Sequence, residues 1–300
     1  MKNSRYWGFF FAASSAIFYG LQPALIQITY SGGSNGVTMT FLRSVLAIPV
    51  LYLLLRCQGE TLKVEKGDLH RILILGAVGS ASTTILLYCS YTYIPTGVAT
   101  TLHFIYPLLV TVTCILFFRE KLTVPKALAV ILSVVGIFCF MGKDTSFHPL
   151  GITLALLSGL CYTFFTVYMS SSGLKRYHHF KLALYMCIVV GACSGIYGIA
   201  THQLTLSLTP RAWVFSFLVA ICVAVAGSSL YQLGIRYAGP STTAIFSTLE
   251  PITSVIIGCL VLQETMTWVK LLGCICIFSG VLLTTVSSIR PAAKEPSESC

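Results

Sequence analysis

The chain has 300 residues, 56% of them hydrophobic and only 9% charged, with a mean hydropathy of +0.85. Soluble domains carry about a quarter charged residues, so this composition excludes an ordinary water-soluble protein. The formal net charge of +10 does not point to nucleic acid, because the basic residues sit in short segments between apolar runs and build no groove for phosphates.

In hydrocarbon only helices and closed barrels satisfy their backbone groups, and apolar runs of 18 to 23 residues are too long for barrel strands. Ten helical spans are predicted. Span 1 (7–29) follows Lys2 and Arg5 but continues past Pro23 with no cleavage site, so it reads as a membrane helix and not a leader. It carries Ser15, Tyr19 and Gln22 at helical spacing, on one face. Span 2 (37–55) holds Arg43 near its outer end. That guanidinium either snorkels to the interface or faces the bundle, where its fork suits a substrate carboxylate. Span 3 (72–93) carries a second polar stripe, Thr84, Tyr88 and Tyr91.

Span 4 (98–118) contains His103, Tyr106 and Pro107. Imidazole changes charge near neutral pH, so His103 is either a carrier of a coupling proton or a hydrogen-bonded structural residue. Span 5 is 124–141, and span 6 (150–170) presents Thr163 and Thr166. In span 7 (182–200) Gly191, Gly195 and Gly198 make a close-packing face, inside the monomer or between subunits of a homo-oligomer. Span 8 (213–235) carries Ser228 and Gln232. Span 9 (242–262) buries Glu250 at a depth of roughly 12 Å, near the midplane. Its Pro251, like Pro107, is expected to kink the helix and to free a carbonyl, that of Ser247 in one case and of His103 in the other. Span 10 (268–289) precedes a polar tail, 291–300, expected to be disordered.

With a cytoplasmic N-terminus, fifteen Lys and Arg residues fall on the inner side and three (Lys143, Arg211, Lys270) on the outer side, with Arg43 left inside a span. This positive-inside bias predicts a multi-pass inner (plasma) membrane protein with both termini cytoplasmic. Most of the twelve cysteines lie within apolar runs and read as packing residues, with no metal-ligand spacing among them.

The most informative pattern is an ungapped repeat at an offset of 144 residues. Over 107–136 and 251–280 it gives eight identities, among them Pro107/Pro251, Glu120/Glu264, Lys126/Lys270 and Gly136/Gly280. The stripes obey the same offset: Thr163 and Thr166 fall on Tyr19 and Gln22, and Ser228 and Gln232 on Thr84 and Tyr88. Five spans per repeat, 1–144 and 145–290, place the halves in inverted orientation, the architecture by which many secondary transporters expose a central site to either face. The register pairs Tyr106 with Glu250, a departure from symmetry just before each proline.

Phe41-Leu42-Arg43 at the start of span 2, and a proline followed thirteen residues later by glutamate in both halves, resemble the drug/metabolite transporter superfamily of the EamA type. That resemblance implies an all-α, ten-helix carrier that exports or exchanges amino acids or related metabolites. It also implies a central cavity lined by helices 1 to 4 and 6 to 9, with helices 5 and 10 peripheral.

The expected partners are a small-molecule substrate and the lipid bilayer, with proton coupling open and no nucleic acid. Neither a catalytic constellation nor a phosphate loop occurs, and no cofactor or metal is expected. A polytopic enzyme acting on a lipid-linked substrate is the alternative, and it would need clustered carboxylates or a Ser/His pair.

Overall fold

A computed structural model describes residues 2–94, 96–120, 122–139, 148–261 and 266–289. Among them the regular structure is helical, with no strand. Nine helical stretches are long and apolar enough to cross a membrane, and a shorter apolar helix, Val124–Phe138, forms span 5. The segments expected to extend spans 5 and 9, the tail, and Lys143, Glu264 and Lys294 lie outside the described residues.

Five of the spans depart from a single regular helix. Span 1 divides at Leu21 into Lys2–Gly20 and Gln22–Tyr30, with Pro23 opening the second piece. Span 4 divides into Thr96–His103 and Tyr106–Phe118, and span 9 into Pro240–Phe246 and Leu249–Val261. Span 3 (Lys66–Ser90) and span 8 (Pro210–Ala238) each contain a π-turn, Leu75–Ala81 and Ala220–Gly227. A π-turn carries one extra residue and misaligns local carbonyls. Hydroxyls take up the slack: Ser82 Oγ donates to Ala77 O at 2.8 Å, and Ser15 Oγ of span 1 donates to Gly227 O at 2.9 Å. A buried carbonyl left unpaired here would cost free energy, which explains the serines beside these turns.

The packing obeys the repeat. Span 1 packs on spans 8 and 9, and its counterpart, span 6, packs on spans 3 and 4. Span 2 packs on span 7, span 4 on span 9, and span 5 on span 10, so each inter-half contact has its partner under exchange of halves. Small residues permit these approaches, as expected where lipid offers no hydrophobic drive between helices. A side chain on Gly136 would strike Gly273 O and Ile277, and one on the matching Gly280 would strike Ala129 O. The glycine face of span 7 meets span 2: Gly195 abuts Phe41 and Gly198 abuts Val37, which places that face inside the monomer. Outward-facing residues such as Leu116, Phe117, Ile196, Leu260 and Phe278 are exposed and apolar, as a lipid-facing surface requires.

Candidate functional site

The broken spans bring the interior polar groups to the middle of the bundle. Leu249–Val261 begins at the level where Pro240–Phe246 ends, so Glu250 stands in the first turn of a helix, the end where a negative charge is favoured. Pro251 therefore starts a helix, where its missing N–H is not needed, and Pro107 does the same for Tyr106–Phe118. This corrects the expected kink at Ser247. The chain turns before the proline, and Ser247 O is not free, because it accepts the Glu250 N–H at 2.9 Å. His103 O instead lies against Gly159, where a Cβ would come within 2.8 Å of it.

Two polar clusters flank Glu250. In the first, Arg43 points into the bundle and not to the interface: its Nη2 donates to Thr84 Oγ1 at 3.2 Å. Gln22 Nε2 donates to Tyr88 OH at 3.1 Å, the Tyr88 and Tyr91 rings lie 5.6 Å apart, and Tyr91 OH meets Thr100 Oγ1 at 3.4 Å. The π-turn of span 3 precedes Thr84, Tyr88 and Tyr91 and turns that stripe toward spans 1 and 2.

The second cluster is aromatic. Tyr106 packs edge-on against Tyr162 at 4.6 Å, Tyr162 lies 5.7 Å from Tyr231, and Tyr231 lies 6.4 Å from Tyr19. Thr166 Oγ1 and Tyr231 OH are 2.8 Å apart. Tyr19 lies close to Ser228, and Tyr106 and Tyr231 lie close to Ser247. Gln232 Nε2 donates to Ser228 Oγ at 3.4 Å. Thr163 is buried, and its hydroxyl donates to Gly159 O of its own helix at 2.8 Å.

Glu250 lies within electrostatic range of Arg43 and of the tyrosines at 19, 91, 106, 162 and 231. Among the described residues the direct ion pairs lie elsewhere, so Arg43 and Glu250 do not form one. Between spans 1, 2, 3, 7 and 8 is a cavity of about 60 Å³ that Tyr19, Arg43, Ser80, Cys187 and Ser228 help to line. That is room for roughly two waters, so the space beside Arg43 is narrow in this conformation.

Sequence reasoning missed Tyr162 and Tyr231. They share helical faces with Thr166 and Ser228, but the 144-residue register pairs them with Phe18 and Leu87, so a search for repeated polar positions passes over them. His103 is buried, and its Nδ1 meets Ser158 Oγ at 2.9 Å. This is a Ser/His pair of the type the enzyme alternative would need. However, Ser158 Oγ also donates to Ala155 O at 2.6 Å and both residues are buried, so the pair ties span 6 to span 4.

A family model described as the EamA-like transporter family matches the chain twice, over residues 6–142 and 149–286. The chain belongs to the EamA-like transporter family. Its two matches cover the two sets of five spans, and as a member of this family it is a multi-pass membrane transporter. It is 25% identical over 312 residues to the uncharacterized transporter sll1319 of Synechocystis sp., covering 94% of each chain. It is 24% identical over 209 residues to the uncharacterized transporter YvbV of Bacillus subtilis, covering 67% of each. A protein of known crystal structure superimposes with a TM-score of 0.83 at 13% identity, over 93% of this chain and 98% of the other, a likeness of fold.

Proposed function

We propose that this EamA-like transporter moves amino acids or closely related amphipathic metabolites across the plasma membrane, as an exporter or exchanger working by alternating access. The observation that carries the reading is that Arg43 and Glu250 lie within electrostatic range of each other beside the interior tyrosines and form no ion pair. A zwitterion supplies the missing partners. Its carboxylate matches the guanidinium fork and its ammonium matches the carboxylate, while the tyrosines offer apolar faces with hydroxyl handles. In this reading the polar stripes on spans 1, 3, 6 and 8, with Glu250 on span 9, border the substrate path through the bundle, and spans 5 and 10 stay outside it. Both termini are assigned to the cytoplasm, from the distribution of Lys and Arg.

Glu250 is also the group best placed to carry a coupling proton, since among the described residues it is the one carboxylate within electrostatic range of the interior tyrosines. The test is reconstitution in liposomes with a panel of amino acids and nucleosides, with and without a pH gradient. Saturable counterflow of one amino-acid class is expected. Flux of none of the amino acids, or flux of nucleosides alone, would overturn the substrate assignment.

A further inference from the structure

The halves also meet at the two ends of the span 2–span 7 pair, and these junctions occupy equivalent places with different chemistry. At the basic face, the loop before span 3 meets the loop before span 7 around Tyr177. The Tyr177 hydroxyl donates to Asp68 Oδ2 at 2.7 Å and accepts the Glu65 N–H at 3.2 Å. Arg176 pairs with Asp68 at 2.5 Å and with Glu65 at 2.6 Å, and Lys181 pairs with Glu60 at 3.1 Å. The Arg176 and Lys181 cations lie 5.3 and 5.7 Å from the centre of the Tyr177 ring.

At the opposite face, the loop before span 8 meets the loop before span 2 through neutral groups. Asn35 Nδ2 donates to Gln203 O at 2.6 Å, the Thr205 N–H donates to Thr38 Oγ1 at 3.0 Å, and the Thr209 N–H donates to Gly32 O at 3.1 Å. Residues 65 and 176 become 209 and 32 at the 144-residue offset, so one ion pair and one amide hydrogen bond stand at matching positions.

The energetic consequence differs between the two ends. Asp68 is 3% exposed and Lys181 6%, and parting such groups from their partners leaves a poorly solvated charge. Neutral hydrogen bonds exchange with water at little net cost. Both walls of the central cavity run down to the ionic junction: Lys181 lies six residues before Cys187 on span 7, and Asp68 twelve before Ser80 on span 3.

We propose that the basic-face junction is an ionic latch closing that mouth of the central cavity, so that the resting protein opens more readily toward the opposite face. The inference rests on the alternating-access reading, but its test needs no substrate. Cys187 lines the cavity and serves as a native reporter once the other eleven cysteines are replaced by serine. Vesicles of both orientations are treated with a small membrane-impermeant methanethiosulfonate, and modification of Cys187 is timed. Glu60→Gln, at a half-exposed side chain that tolerates change, is expected to raise the rate from the basic face about tenfold, with Arg176→Gln acting in the same direction. Exchanging the pair, Glu60→Lys with Lys181→Glu, restores the slow rate, and Asn35→Ala raises only the rate from the opposite face. Equal rates in the parent and Glu60→Gln proteins, or an exchanged pair as fast as the single variant, overturn the latch. Latch-dependent labelling without amino-acid flux would refute the substrate assignment and leave the latch standing.

Discussion

The breaks in spans 4 and 9 are the same device carrying different chemistry. Each interrupts a membrane helix, restarts it with a proline within the first turn, and places the residue before that proline at the centre of the bundle. In the first half that residue is Tyr106, which is 2% exposed and packed edge-on against Tyr162. In the second half it is Glu250, which is partly exposed and lies within electrostatic range of Arg43. Duplication supplied two equivalent helix starts. One now contributes an aromatic wall and the other a charge, so a symmetric scaffold holds an asymmetric interior.

The variants that probe this contrast fall in order of expected effect. Glu250→Gln keeps the shape of the side chain and removes its charge. It is expected to lower amino-acid counterflow by more than tenfold, as loss of a charge-assisted contact predicts, and to abolish any dependence on the pH gradient. Wild-type pH dependence in that variant would remove Glu250 from coupling. Arg43→Lys keeps the charge and loses the fork, so half-saturation should rise roughly tenfold with maximal flux preserved. An unchanged half-saturation would break the carboxylate assignment.

Tyr106→Phe removes only a hydroxyl close to Ser247 and keeps the ring packed on Tyr162, and flux should fall no more than about two- to fivefold, the scale of one neutral polar contact. If Tyr106→Phe proves as damaging as Glu250→Gln, the two breaks are functionally alike and the contrast fails. Tyr231→Phe leaves Thr166 without its partner hydroxyl, and thermal unfolding in detergent should report a loss of about 1 kcal/mol.

Much of the fold is legible in the residues. Span count, the inverted repeat and the close-packing glycine face of span 7 follow from apolar run length, the 144-residue register and glycine spacing, because lipid imposes helices and small residues permit contact. The same patterns say less about the interior. Pro107 and Pro251 read as kinks, yet the chain turns earlier and the prolines begin new helices, a choice that depends on what packs around residues 104–105 and 247–248. The π-turns in spans 3 and 8 leave no mark in hydropathy, since one added residue does not change an apolar average. Tyr162 and Tyr231 are hidden by the symmetry that exposes their neighbours.

The amino-acid sequence by itself determined that this chain crosses the membrane ten times in two related halves, because solvent imposes a single backbone solution on long apolar runs. Only the tertiary structure decided that Arg43 turns inward to Thr84, that His103 is bound to Ser158, and that the two loop junctions join the halves with unlike chemistry. These depend on distances between residues far apart in the chain, and periodicity carries no record of them.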